Sequence, residues 1–172
     1  MIIWLIGISG AGKTTIGRKL ESYFNKIGKK CYLLDGDEVR DLFDRDLGYS
    51  DADREANIKR IILGAYLLDR NDIVGIICNI APLEHLRQLA RKKIEGYNEI
   101  YLKKDLHISM KNDVKGVYRE NMGKTQIVGI DATFDEPKTP DLVLEVDKMT
   151  EEQSFQAVLE YIVSKYGEEY KV

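Results

Sequence analysis

The sequence predicts an α/β fold in which a parallel β-sheet carries helices on both faces. Three observations predict it. Short apolar runs of strand length alternate with longer stretches whose apolar residues recur at helical spacing. The first apolar run leads directly into G-I-S-G-A-G-K-T (7–14), a full match to the phosphate-binding pattern G-x-x-x-x-G-K-[ST]. A helical pattern follows, so strand, loop and helix occur in the order that motif requires.

Taken in order, I-I-W-L-I (2–6) is apolar throughout, as a strand covered on both faces must be. After the loop, Ile16, Leu20, Tyr23, Phe24 and Ile27 share one helical face, and Gly28 is a natural stop. A second strand is expected over 30–34, ending at Asp35-Gly36-Asp37, with a short helix over 38–43. Ser50 reads as the N-cap of a third helix, with Asp53 at its third position. That helix carries Ile58, Ile61, Ile62, Ala65 and Leu68 on one face and ends near Asn71. A third strand over 73–79 precedes a helix over 82–94, and a fourth strand covers 99–102. Residues 113–140 are polar and punctuated by Gly and Pro, which reads as a mobile lid, about 113–126, followed by an ordered return loop. A fifth strand over 142–146 and a closing helix over 154–166 complete the alternation.

At 172 residues the chain is expected to form one domain with a sizeable core. Hydrophobic residues at 44% and charged residues at 32% suit an ordinary globular protein. A net charge of −3 and a pI near 5.5 argue against nucleic acid as a partner. No apolar run is long enough to span a membrane. The chain opens on a core strand, which leaves no room for a signal peptide. Cys31 and Cys78 lie in apolar strand-like runs and read as buried thiols, in keeping with a reducing cytoplasm.

The loop assigns chemistry to particular residues. Gly10, Ala11, Gly12, Lys13, Thr14 and Thr15 would hold the phosphates of ATP, with Lys13 as a mobile positive charge. The Thr14 hydroxyl is placed to ligate Mg²⁺. In an open α/β sheet, ligands sit beyond the carboxyl ends of the strands, where Asp35 and Asp37 are also expected. A carboxylate there could hold Mg²⁺ or accept a proton from an attacking hydroxyl; the alternative is that it caps the next helix. The third strand ends in Asn79 without an acid, which favours Asp35 for the catalytic and metal role. Arg54 and Asn57 lie three apart on one helical face, and with Arg40 they could clamp a second phosphate-bearing substrate. The chain lacks N-K-x-D, the guanine-reading motif of a GTPase switch. A non-catalytic nucleotide-binding module would be expected to lose Lys13, Thr14 or Asp35, and all three are present.

Five segments carry a resemblance. They are G-I-S-G-A-G-K-T-T (7–15), L-D-G-D-E-V-R (34–40), D-L-G-Y-S-D-A-D-R-E-A-N-I-K-R-I (46–61), D-V-K-G-V-Y (113–118) and G-I-D-A-T-F-D-E-P-K-T-P-D-L-V-L (129–144). In the same order and over nearly the whole length, they resemble adenylylsulfate kinase, a P-loop kinase family. The resemblance implies transfer of the γ-phosphoryl group of ATP to the 3′-hydroxyl of adenosine 5′-phosphosulfate. It implies Asp35 as the catalytic carboxylate near Mg²⁺, with Asp37, Arg40, Arg54 and Asn57 on the acceptor nucleotide and Lys115 on the lid. It also implies a homodimer.

Two departures bear on the acceptor. Where the family has Phe-Ile-Ser-Pro, this chain has Asn79-Ile80-Ala81-Pro82. Where the family has Phe before Thr-Gly-Ile-Asp, this chain has Ile127 before Val128-Gly129-Ile130-Asp131. Those two rings sandwich adenine in the family, and base–aromatic stacking contributes roughly 1–3 kcal/mol per ring. The family's Arg after the proline is Glu84 here, and Asn112 stands where an Arg often precedes D-x-K-G. The ATP half is kept while the base pocket, including Asn79, Ile80 and Ile127, is rebuilt. The expectation is therefore a small-molecule nucleotide acceptor other than adenylylsulfate. The branch it resembles is the cytidine diphosphoramidate kinases of capsule phosphoramidate synthesis, with Asn79 bonding the base edge through its amide donor and acceptor. The alternative is an ordinary adenylylsulfate kinase.

Overall fold

A computed structural model describes residues 1–111, 127–130 and 132–171. Lys115, Asn112, Asp131 and the lid expected at 113–126 lie outside the described residues. Five strands, β1 (Ile2–Ile6), β2 (Cys31–Asp35), β3 (Val74–Cys78), β4 (Tyr97–Lys103) and β5 (Leu142–Glu145), form one sheet in the order β2-β3-β1-β4-β5. Every pairing is parallel. The helices are α1 (Lys13–Lys26), α2 (Gly36–Leu42), α3 (Asp51–Arg70), α4 (Glu84–Lys93), α5 (Leu106–Lys111) and α6 (Glu151–Tyr166).

The period-two geometry of β1 divides the core. Ile2, Trp4 and Ile6 pack with α3 and α4, whereas Ile3 and Leu5 pack with α1 and α6. The connection leaving β1 runs toward the β2 edge and that leaving β3 runs toward the β5 edge. The reversal opens a crevice at the carboxyl ends of β1 and β3.

Element boundaries moved where tertiary bonds outweigh local pattern. β4 begins at Tyr97 because Asn98 and Glu99, both buried, find partners. The Asn98 amide donates to the Ile2 carbonyl at 2.9 Å, and its oxygen accepts from Tyr161 and Lys165 on α6. The helix expected from Pro82 starts at Glu84, since Leu83 is extended and the Pro82 carbonyl accepts the Asp135 N–H at 2.9 Å. α6 starts at Glu151, three residues earlier than expected, because Thr150 and Gln153 form a reciprocal capping box. α5 had no counterpart in the sequence reading. Cys78 is buried as expected, but Cys31 is half-buried because β2 is the sheet edge; neither is in a disulfide. Among the described residues, no helix is long and apolar enough to cross a membrane.

Candidate active site

The phosphate loop joins β1 to α1. Gly12, the N-cap of α1, has φ 88°, and no side chain caps the helix. No acid occupies its first turn, so the amide N–H groups and positive end of α1 are left to an anion. Gly7 meets a different constraint, because a Cβ there would lie 2.5 Å from the Leu102 carbonyl oxygen. Ala11 is buried, Gly10 and Thr15 are exposed, and Thr15 lies on the first turn of α1. Lys13 Nζ donates to the carbonyls of Gly7 at 2.7 Å and Ile8 at 2.8 Å, which folds its charge across the loop. Lys104, just beyond β4, donates to the Gly10 carbonyl at 2.9 Å.

Asp35 closes β2 and stands in register with Cys78 on β3. One carboxylate oxygen accepts the Thr14 hydroxyl at 2.9 Å, and the other accepts the Asp37 N–H at 3.0 Å, capping α2. Capping α2 leaves room for the expected site role, because the two oxygens face different elements. Thr14 and Asp35 thus bring two oxygen donors together beside the loop, which suits Mg²⁺ completing its shell with phosphate oxygens and water. Among the described residues no cluster of three or more His, Cys, Asp or Glu could cage a metal. The donor set therefore fits a cation that arrives with a nucleotide.

The residues expected on the acceptor, Asp37, Arg40, Arg54 and Asn57, lie on α2 and α3. Arg40 is buried, donates to the carbonyls of Leu47 (3.1 Å) and Gly48 (2.8 Å), and lies 4.6 Å from the Tyr49 ring. Arg54 Nε donates to the Tyr49 carbonyl at 2.9 Å. Its pKa is lowered, first by burial and then by the Arg40 charge nearby. Two like charges held together attract an anion of doubled charge. Asp37 is exposed on the first turn of α2. Asn57 is buried, its amide donates to the Gly36 carbonyl at 3.4 Å, and its Oδ1 has no hydrogen-bond partner among the described residues.

The corner between β3 and α4 differs from the sequence reading. The Asn79 side-chain Oδ1 accepts the Trp4 indole N–H at 2.6 Å, which orients the carboxamide and leaves both of its N–H donors unused by this bond. Ile80 is half-buried, and Ala81 holds φ 45°, a left-handed conformation that a non-glycine residue adopts only under constraint. Arg87 supplies the constraint. It donates to the Ala81 carbonyl at 2.6 Å and the Asp135 carbonyl at 2.7 Å, and it also pairs with Glu84. Ile127 is buried. Arg91 bonds Asp141 at 2.9 Å, so neither arginine of α4 is left to grip a phosphate.

Sequence reasoning missed Tyr49, Lys104 and Trp4. Tyr49 sits directly before the Ser50 cap, which was a local clue. Lys104 and Trp4 reach the site only through strand order. A hollow of about 390 Å³, lined by Arg18, Lys19, Tyr23 and Phe155 among others on α1 and α6, shares no residue with this site.

The adenylylsulphate kinase family model matches residues 1–145. An adenylyl-sulfate kinase of Halothermothrix orenii is 39% identical over 165 residues, covering 95% of this chain and 89% of the relative. One from Phocaeicola vulgatus is 39% identical over 175 residues, covering 98% and 86%. The structure of the Mycobacterium tuberculosis APS kinase CysC in complex with AMPPNP and APS superposes with a TM-score of 0.87 at 32% identity, covering 94% of this chain and 96% of that one. The chain belongs to the adenylylsulphate kinase family.

Proposed function

We propose that this chain is an ATP-dependent, Mg²⁺-requiring kinase that moves the γ-phosphoryl group of ATP to the 3′-hydroxyl of adenosine 5′-phosphosulfate. The observation that carries it is the Thr14–Asp35 contact at 2.9 Å, which sets a carboxylate beside the phosphate loop at the N-cap of α2, the helix that carries Arg40. Support for this acceptor comes from relatives near 39% identity. Lys13 and the amides of the loop and α1 hold the β- and γ-phosphates. Thr14 and Asp35 would hold Mg²⁺, which would neutralise charge on the phosphate oxygens. Arg40 and Arg54 hold the 5′-phosphosulfate, with Asp37 and Asn57 beside them, and Lys115 belongs to the segment that covers both substrates. Asp35 orients the 3′-hydroxyl and takes its proton. The bond from O3′ to phosphorus forms as the bond from phosphorus to the β–γ bridging oxygen breaks, and ADP leaves. We also assign a homodimer and a cytoplasmic location, the former on the resemblance and the latter on two cysteines outside any disulfide.

A second reading, cytidine diphosphoramidate as acceptor, is favoured by one observation: Asn79 and buried Ile127 stand where the family carries two stacking rings. Coupled ATP turnover with each acceptor separates the two. We expect kcat/KM to favour adenosine 5′-phosphosulfate by about tenfold or more. The reverse preference establishes the second reading. ADP release that no acceptor stimulates would reduce the chain to a nucleotide-binding module.

A further inference from the structure

We propose that Trp4 is a positioning residue that fixes Asn79 with its amide N–H groups toward the acceptor cleft, so that the pocket reads a base by donating a hydrogen bond to an acceptor atom on its edge. This rests on the nucleotide-acceptor reading above. Trp4 is 1% exposed on the central strand and packs against Tyr97 at 5.7 Å between ring centroids. An indole N–H can only donate, so the Asn79 atom 2.6 Å away is the carboxamide oxygen. Flipping the amide would set two donors against each other and strand a buried N–H, a loss that holds the orientation.

The other end of the carboxamide is thereby committed. Asn79 Nδ2 has no partner among the described residues, yet it is not among the side-chain atoms sealed from solvent. Asn79 stands against the residue that follows Asp35. A Cβ on Gly36, the residue after Asp35, would lie 3.0 Å from Asn79 Cβ. The pocket has therefore exchanged a stacking ring for a directed donor. A ring nitrogen or carbonyl oxygen on the base edge satisfies that donor, and an amino group at the same place is refused.

The sequence holds one tryptophan, so its emission reports this bond directly. The experiment titrates Trp4 emission with adenosine 5′-phosphosulfate and with cytidine 5′-diphosphate, in the wild type and in Asn79→Leu. In parallel, kcat and KM for both acceptors are measured in Trp4→Phe and Asn79→Asp. We expect a saturable emission change in the wild type that Asn79→Leu removes. We expect Trp4→Phe to raise the acceptor KM by about tenfold with little change in kcat. Asn79→Asp keeps an oxygen for Trp4 but replaces the donor with an acceptor, and should raise KM further. A wild-type acceptor KM in both variants, or a lowered KM in Asn79→Asp, overturns the proposal. If the wild type phosphorylates neither nucleotide, the proposed function fails. The emission titration then decides alone, and the absence of any saturable change also overturns the inference.

Discussion

Asp35 serves the site and the fold with different oxygens, one on the Thr14 hydroxyl and one on the Asp37 N–H. Asp35→Asn keeps an oxygen available to cap α2 but removes the charge that would accept a proton. Turnover should fall by about 10²-fold or more while ATP still binds. Near-normal turnover in a coupled assay would remove the carboxylate from the mechanism. Asp35 and the phosphate loop were legible in the sequence because one ends a strand and the other begins directly after one. Arg40 and Arg54 were legible as charges, but their convergence on Tyr49 was not. The 47–50 turn that brings them together has no periodic pattern to read. Asn79 was legible as a departure from the family, yet its polarity depended on Trp4, 75 positions away.

Among the elements, α1 and α4 show opposite means of fixing a helix. α1 lies directly on β3, and a Cβ on Gly17 would fall 2.6 Å from Cys78 Sγ and 3.0 Å from Leu33 Cδ1. Gly17→Ala should cost about 1–3 kcal/mol by overpacking. Cys78→Ala in the same chain should recover much of that loss. Equal losses in both backgrounds, read from denaturant melts, would show that the two residues do not couple. α4 has no local cap. Its first N–H donates to the Asp135 side chain at 3.0 Å, from far along the chain. Arg87 then ties the Ala81 carbonyl, Glu84 and the Asp135 carbonyl into one corner. Removing it leaves buried acceptors and the Glu84 charge without their partner. Arg87→Met should cost about 3–5 kcal/mol. A midpoint within experimental error of wild type would reduce the corner to surface decoration. The α3 start was readable from Ser50 and Asp53 because its cap is local. The start of α4 was not, because its cap is tertiary.

Across the whole molecule, the sheet joins two acids that respond oppositely to pH. Burial works to raise the Asp141 pKa, but the Glu99 N–H, Arg91 and Lys165 outweigh it and leave the pKa below the ordinary aspartate value. Asp141 therefore adds stability above about pH 4 that is lost as pH falls through its folded value. Glu99 behaves oppositely. Burial raises its pKa against the Tyr97 hydroxyl and the charges of Arg87 and Arg91, so its contribution falls as pH rises from the ordinary glutamate range toward its folded value. Asp141→Asn should flatten the acid loss of stability between about pH 5 and 3, read as urea midpoints against pH. An unchanged profile would place the acid sensitivity elsewhere. The alternation of strands and helices, the phosphate loop and the acid at the end of β2 can be read from the residues alone, because these depend on local periodicity and on residues at strand ends. The folded chain was needed to see that β1 sits centrally between β3 and β4, that Arg87 and Arg91 brace α4 and the return segment, and that Trp4 takes the oxygen of Asn79. Each of these depends on a partner distant in sequence, brought near only by the parallel crossovers of the sheet.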